Sequence, residues 1–141
     1  MTDEEFLAAF EDCRIPREDW THEAHVRMAW LYLGRRPLDE VIPIVRAGIR
    51  RYNDAVIRKP DAYHETITLA MLALIDSERE SGGRWETYAE FRERAPELLD
   101  RALPALLRHY RRETLFSDRA RLTFVEPDLI PLSARKVGRG G

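Results

Sequence analysis

The sequence predicts an all-α fold, a compact bundle of about five to six helices in a single domain over residues 1–132. Apolar residues recur at helical spacing along most of the chain, and capping residues, glycines and prolines separate these runs. Only Thr123-Phe124-Val125 has the composition of a strand, and it is too short to build a sheet. An extended C-terminal segment is expected over 122–132, followed by a disordered basic tail over 133–141.

The first two helices have clear start and stop signals. Thr2 or Asp3 can cap the first helix, and Pro16 breaks the chain after it. Thr21 is a favourable N-cap for the second helix, which is expected to end at Gly34.

The third and fourth helices are less regular at their starts. Pro37 opens the third, and Pro43 predicts that this helix starts late or bends, because proline is tolerated only near a first turn. The fourth is expected from about Ala62, after the loop at Pro60, and to end near 81–83.

The remaining helices are shorter and interrupted by proline. One amphipathic helix is expected over 85–94, and Pro96 can open the next, which Pro104 is expected to kink. Ser117 can cap one further short turn.

Composition narrows the class of protein. The 141 residues are 44% hydrophobic and 34% charged, which is typical of a globular domain, and the net charge of −2 gives no reason to expect nucleic acid. No run reaches the roughly 18 apolar residues of a membrane span. The single Cys13 and an acidic N-terminus without signal-peptide character predict a cytoplasmic protein. A homodimer formed through an amphipathic helix is a further hypothesis.

The most informative feature is a pair of histidine clusters, Trp20–His25 and Tyr63–Thr66. His22 and His25 are three residues apart, so they share one helix face, and His64 lies at the start of the fourth helix. The second and fourth helices of an up-down-up-down bundle are parallel, which would bring both clusters to the same end. The sequence therefore predicts a three-histidine site between two helices.

Three imidazoles favour a divalent transition metal, Zn, Fe, Cu or Ni, with a coordination position left open for catalysis. This pattern predicts a small metal-dependent enzyme, a hydrolase or an oxidoreductase, acting on a small polar substrate. Glu65 and Glu23 are the candidate bases or partners that orient an imidazole, and Tyr63 completes the catalytic set. The candidate substrate-binding residues are Arg27, Asn53 and Thr68.

Two alternatives stay open, because a His-x-x-His spacing is a weak motif on its own. One is a metal-free acid–base site made of the same histidines. The other is a non-enzymatic ligand-binding or protein-interaction helical module. The enzyme predicts a deep polar pocket in which the three imidazole nitrogens converge. The module predicts histidines individually satisfied by backbone or tyrosine groups, and an exposed apolar patch elsewhere.

The chain also resembles a known family. The segments WTHEAHVR (20–27), GIRRYN (48–53), YHETIT (63–68) and PDLIPL (127–132) resemble a family of small, largely uncharacterised bacterial all-helical proteins, over roughly residues 6–132. The resemblance implies that the histidine clusters belong to a recurring pattern, and it implies no particular activity. A more distant similarity to DinB-like bundles, which hold a metal with histidines from neighbouring helices, is weakened by different histidine spacing.

Overall fold

A computed structural model describes residues 1–132 of the chain. In this part of the chain there are seven α-helices and no strand, so the predicted all-α bundle is confirmed. The predicted disordered tail, 133–141, lies outside the described residues. The four long helices are α1 (Asp3–Glu11), α2 (His22–Leu33), α3 (Leu38–Tyr52) and α4 (Glu65–Gly82), and the short ones are α5 (Tyr88–Arg94), α6 (Arg112–Leu115) and α7 (Asp118–Leu122).

The predicted boundaries of the first two helices are confirmed. The Thr2 hydroxyl accepts a hydrogen bond from the Glu5 amide, and the Glu5 side chain accepts one from the Thr2 amide, which forms a capping box. Thr21 caps α2 by accepting a hydrogen bond from the Ala24 amide, and the helix ends at Gly34. Side-chain capping therefore fixes the position of the first histidine cluster at the start of α2.

The third helix does not start late, so that part of the expectation was wrong, and a bend at Pro43 stays a prediction. It begins at Leu38 and continues through Pro43, its sixth residue. Pro43 and Asp39 are both exposed, so the carbonyl that loses its hydrogen bond to the missing proline N–H can be hydrated. After Tyr52 the chain makes a π-helical turn over Asn53–Ile57 and leaves it at Arg58, which has a left-handed φ of 56°.

Residues 96–108 do not form the single kinked helix that was expected. They form two 3₁₀ turns, Pro96–Leu99 and Leu106–Arg108, separated by Leu103 with φ of 60°. A residue that precedes proline is disfavoured in the right-handed helical conformation, and Leu103 precedes Pro104. The helix therefore breaks rather than bends.

The second and fourth helices run side by side in the same direction. At their C-terminal ends the Arg79 guanidinium of α4 lies 3.9 Å from the centre of the Trp30 ring of α2. At their N-terminal ends His22 and His64 line a common cavity. This parallel arrangement is the one that the two histidine clusters require.

The chain has no helical structure over 123–132 and contacts α4, as expected of the C-terminal segment, although Leu122 belongs to α7. The buried Thr66 hydroxyl donates to the Thr123 carbonyl and accepts from the Val125 amide, at 2.9 and 3.0 Å. The Tyr110 hydroxyl donates to the carbonyl of Val125. Between residues 1 and 132, none of the helices has the length and apolar character needed to cross a membrane.

Candidate functional site

A cavity of about 380 Å³ lies between the N-terminal halves of α2 and α4, with α3 closing one side. His22 and His25 reach it from α2, and His64 reaches it from the start of α4. The structure thus brings the three predicted histidines to one place.

The walls of this cavity are mainly apolar. Two predicted residues, Tyr63 and Thr68, also line it, together with Arg101, and no aspartate or glutamate of residues 1–132 does. The Thr68 hydroxyl donates to the His64 carbonyl at 2.8 Å, so it is partly occupied within its own helix. The apolar lining comes from α2, α3, α4 and two loops: Val26, Met28, Ala29, Val45, Ile49, Ala62, Ile67, Met71, Leu72, Ile75 and Leu103.

His64 has a structural role that occupies both of its ring nitrogens. As the N-cap of α4, its Nδ1 accepts a hydrogen bond from the Ile67 amide at 3.1 Å. Its Nε2 therefore carries the proton and donates to the Leu115 carbonyl at 2.9 Å. Burial lowers the pKa of His64, which favours this neutral form. Metal binding here would require His64 to give up one of the two bonds.

His25 presents a free nitrogen. Its Nδ1–H donates to the Thr21 carbonyl at 2.8 Å, so Nε2 carries the lone pair. The imidazole packs on Trp20 with ring centres 4.0 Å apart. Burial lowers the pKa of His25 to about 4, so the ring is neutral at pH 7. Among the described residues nothing hydrogen-bonds to Nε2, which makes it an oriented hydrogen-bond acceptor.

His22 is anchored in a similar way. Its Nε2–H donates to the Leu98 carbonyl at 2.9 Å, which ties the start of α2 to the 3₁₀ turn Pro96–Leu99. The neutral ring then has its lone pair on Nδ1, and no described residue donates to it. Each of the three histidines is therefore held by a backbone carbonyl, which is one of the two features that the hypothesis of a ligand-binding or protein-interaction module predicts.

The metal site stays a prediction. In the stretch from residue 1 to residue 132, no three His, Cys, Asp or Glu side chains are grouped so that they could hold a metal ion. The donors present would have to rearrange, since His64 has no free lone pair while its two hydrogen bonds remain.

Glu65 faces α3 rather than the free histidine nitrogens. Arg46 donates two hydrogen bonds to its carboxylate, and the Tyr63 hydroxyl donates a third. Burial opposes ionisation of Glu65, but these bonds outweigh it and hold the pKa of the carboxyl below its usual value. The predicted base is thus an ionised, fully hydrogen-bonded carboxylate.

Three other predicted residues lie elsewhere. Glu23 pairs with Arg92 at 3.1 Å, and Arg27 pairs with Asp3 at 2.9 Å. Asn53 lies in a separate cleft. The structure does not bring these side chains into the histidine cavity.

Arg101 is a cavity residue that the sequence did not reveal. It is exposed, and no described residue forms an ion pair or a hydrogen bond with its guanidinium. The adjoining turn is held by Asp100, whose carboxylate accepts from the Ala102 amide, and by the left-handed Leu103. The only sequence signal was Pro104, which breaks the helix expected here.

Comparison of the chain with protein-family models, with curated proteins and with solved structures finds no match.

Proposed function

We propose that this chain binds a small, mostly apolar carboxylic acid in the cavity between α2, α3 and α4. The single observation that carries the proposal is a mainly apolar cavity whose described lining has one ionic side chain, the cation Arg101. Binding proteins and enzymes commonly hold small ligands in concave, mainly apolar sites with a few oriented polar groups.

Size and lining support a small ligand. The volume of about 380 Å³ lies near the lower end of the roughly 300–1,000 Å³ range of small-molecule sites. Met28 and Met71 contribute flexible thioether side chains that adapt to the shape of a bound molecule. Transfer of the ligand's apolar surface from water would supply most of the binding free energy, at about 25 cal/mol per Å².

His25 supports recognition of a hydroxyl or amino group. The bond from its Nδ1–H to the Thr21 carbonyl fixes the ring, so the Nε2 lone pair has one orientation. A pKa of about 4 makes this nitrogen a weak base, so it suits hydrogen-bond acceptance better than proton abstraction at pH 7. His22 offers a second acceptor through Nδ1.

The charges around the cavity support an acidic ligand. Of the described residues in the lining, Arg101 is the one with an ionic side chain, and it is a cation. The nearby Glu65 carboxylate is already neutralised by Arg46. A carboxylate at the mouth of the cavity could therefore pair with Arg101 while the rest of the molecule occupies the apolar interior.

Methionine-methyl NMR tests the proposal. The chain has three methionines, of which Met28 and Met71 line the cavity and Met1 does not. The full chain would be titrated with small aromatic and branched aliphatic carboxylic acids, each with and without a hydroxyl group. We expect saturable shifts of the Met28 and Met71 methyl signals, a constant Met1 signal, and weaker binding of the corresponding amides. Absence of saturable shifts at Met28 and Met71 for the whole panel would refute the proposal.

A further inference from the structure

A second concave site lies where α3 ends. This cleft has a volume of about 250 Å³ and borders the π-helical turn Asn53–Ile57. Its lining includes three cations and one carboxylate, together with Asn53 and Tyr63. The charged members are Arg50, Lys59, Arg121 and Asp54.

Asn53 is the most unusual member of this cleft. It is only 8% exposed, yet no described residue forms a hydrogen bond with its side-chain amide. The amide is not one of the described buried polar groups that lack a partner, so it reaches the solvent in the cleft. Asn53 also begins a π-helical turn, a rare structure that is frequent at functional sites. The amide is therefore available to hydrogen-bond a molecule that binds in the cleft.

The three cations are weakly compensated. Lys59 has no ion pair among residues 1–132, and the carboxylate of Asp118 is 3.7 Å from the Arg121 guanidinium. Arg50 lies over the Tyr63 ring, 4.7 Å from its centre, which holds it at the wall. Against the three cations stand two carboxylates, Asp54 in the lining and Asp118 beside Arg121, which leaves one excess positive charge among these described residues. Cations brought together in this way repel one another unless an anion lies between them.

We propose that this cleft binds the phosphate group of a small phosphomonoester. Guanidinium groups donate paired hydrogen bonds to phosphate, lysine supplies a point charge, and the Asn53 amide can donate directly to a phosphate oxygen. The small volume suits a phosphate with a short organic group rather than a polymer. This site does not depend on the carboxylic acid proposed for the histidine cavity, although Tyr63 lines both spaces.

Titration at constant ionic strength tests this site. The full chain would be titrated with inorganic phosphate and with glycerol phosphate, following the Asn53 side-chain amide by NMR, with chloride as the reference anion. Arg121→Gln and Lys59→Gln remove cleft charges. Arg119→Gln is the matched control, because it removes the same charge from an exposed position on the same helix that does not line the cleft.

We expect saturable binding of both phosphates with a shift of the Asn53 amide signals. Arg121→Gln and Lys59→Gln should each weaken binding about tenfold, whereas Arg119→Gln should bind as the parent does. Three results would overturn the proposal: no saturable shift in the parent, an equal loss in Arg119→Gln, or a short oligonucleotide that binds more tightly than glycerol phosphate. The last result would indicate a phosphodiester polymer as the ligand.

Discussion

Arg46 and Glu65 form a bidentate, partly buried salt bridge between α3 and the first turn of α4. The Nε of Arg46 lies 3.0 Å from one carboxylate oxygen, and its Nη2 lies 2.7 Å from the other. Tyr63 adds a hydrogen bond from the adjoining loop. Together these contacts fix the segment that carries His64, and they occupy the carboxylate that the sequence suggested as a base.

Replacing Glu65 should therefore lower stability. Glu65→Gln should reduce the free energy of unfolding by about 2 kcal/mol, because it leaves the Arg46 guanidinium partly buried without its counter-charge. Urea denaturation measures the change. Glu4→Gln, which breaks an exposed pair with Arg35, is the control and should cost less than about 1 kcal/mol. Equal losses in the two variants would contradict this account.

Replacing His64 should separate a structural role from a metal-binding role. His64→Ala removes the cap of α4 and the bond to Leu115 and should cost about 2 kcal/mol. His64→Asn keeps a good capping residue and should recover roughly half of that. Unfolding would be measured with and without a chelator, and both losses should be independent of it. A parent protein that is destabilised by the chelator, with no such effect in His64→Asn, would instead support the predicted metal site.

His25 should make stability depend on pH. The unfolded residue takes up a proton near pH 6.5, and the folded residue takes it up near 4. The unfolded state therefore binds more protons in between, so this contribution is complete above about pH 6.5 and is lost as the pH falls toward 4. The loss should be at most about 3 kcal/mol.

Unfolding free energies measured from about pH 7 to about pH 4 would show this dependence. In His25→Gln the free energy of unfolding should fall less steeply with decreasing pH than in the parent, because the His25 contribution is absent. An unchanged slope in His25→Gln would show that the imidazole titrates normally in the folded protein.

Gly48 should not tolerate a methyl group. A Cβ at this position of α3 would lie 2.6 Å from Cε2 of Phe10, which is fully buried. Helix propensity would favour Gly48→Ala by about 1 kcal/mol, but overpacking costs roughly 1–3 kcal/mol. We expect a net destabilisation in urea denaturation that is reduced when Phe10→Leu is also present. A more stable Gly48→Ala variant would contradict the contact.

Much of the fold could be predicted from the sequence, because the residues that start and end the helices are easily recognised. Thr2 and Thr21 are good caps, and the helices that follow them begin where those residues predict. The late start predicted from Pro43 was wrong, because Asp39, one turn earlier, is exposed and its carbonyl can be hydrated. The effect of Pro104 on the helix was underestimated: a kink was expected and the helix breaks, because the sequence does not show that Leu103 adopts a left-handed conformation.

The candidate site was only partly predictable. Helical spacing brought His22 and His25 to one face, and the parallel arrangement of α2 and α4 brought His64 to the same cavity. Hydrogen bonds to the carbonyls of Leu98 and Leu115 depend on contacts between distant parts of the chain, so no local pattern reveals them. Those bonds determine which imidazole nitrogens are free.

The central claim is that the histidine cavity binds a small acid, and calorimetry of two matched variants tests it most directly. Ala62 lines the cavity and is half-buried, whereas Ala89 is exposed on α5 away from it. The best acid from the methionine screen would be titrated into the parent, Ala62→Leu and Ala89→Leu. The account predicts at least about tenfold weaker binding to Ala62→Leu, where the larger side chain fills the cavity, and parental affinity for Ala89→Leu. Parental affinity in Ala62→Leu would show that the acid binds elsewhere and would contradict the account.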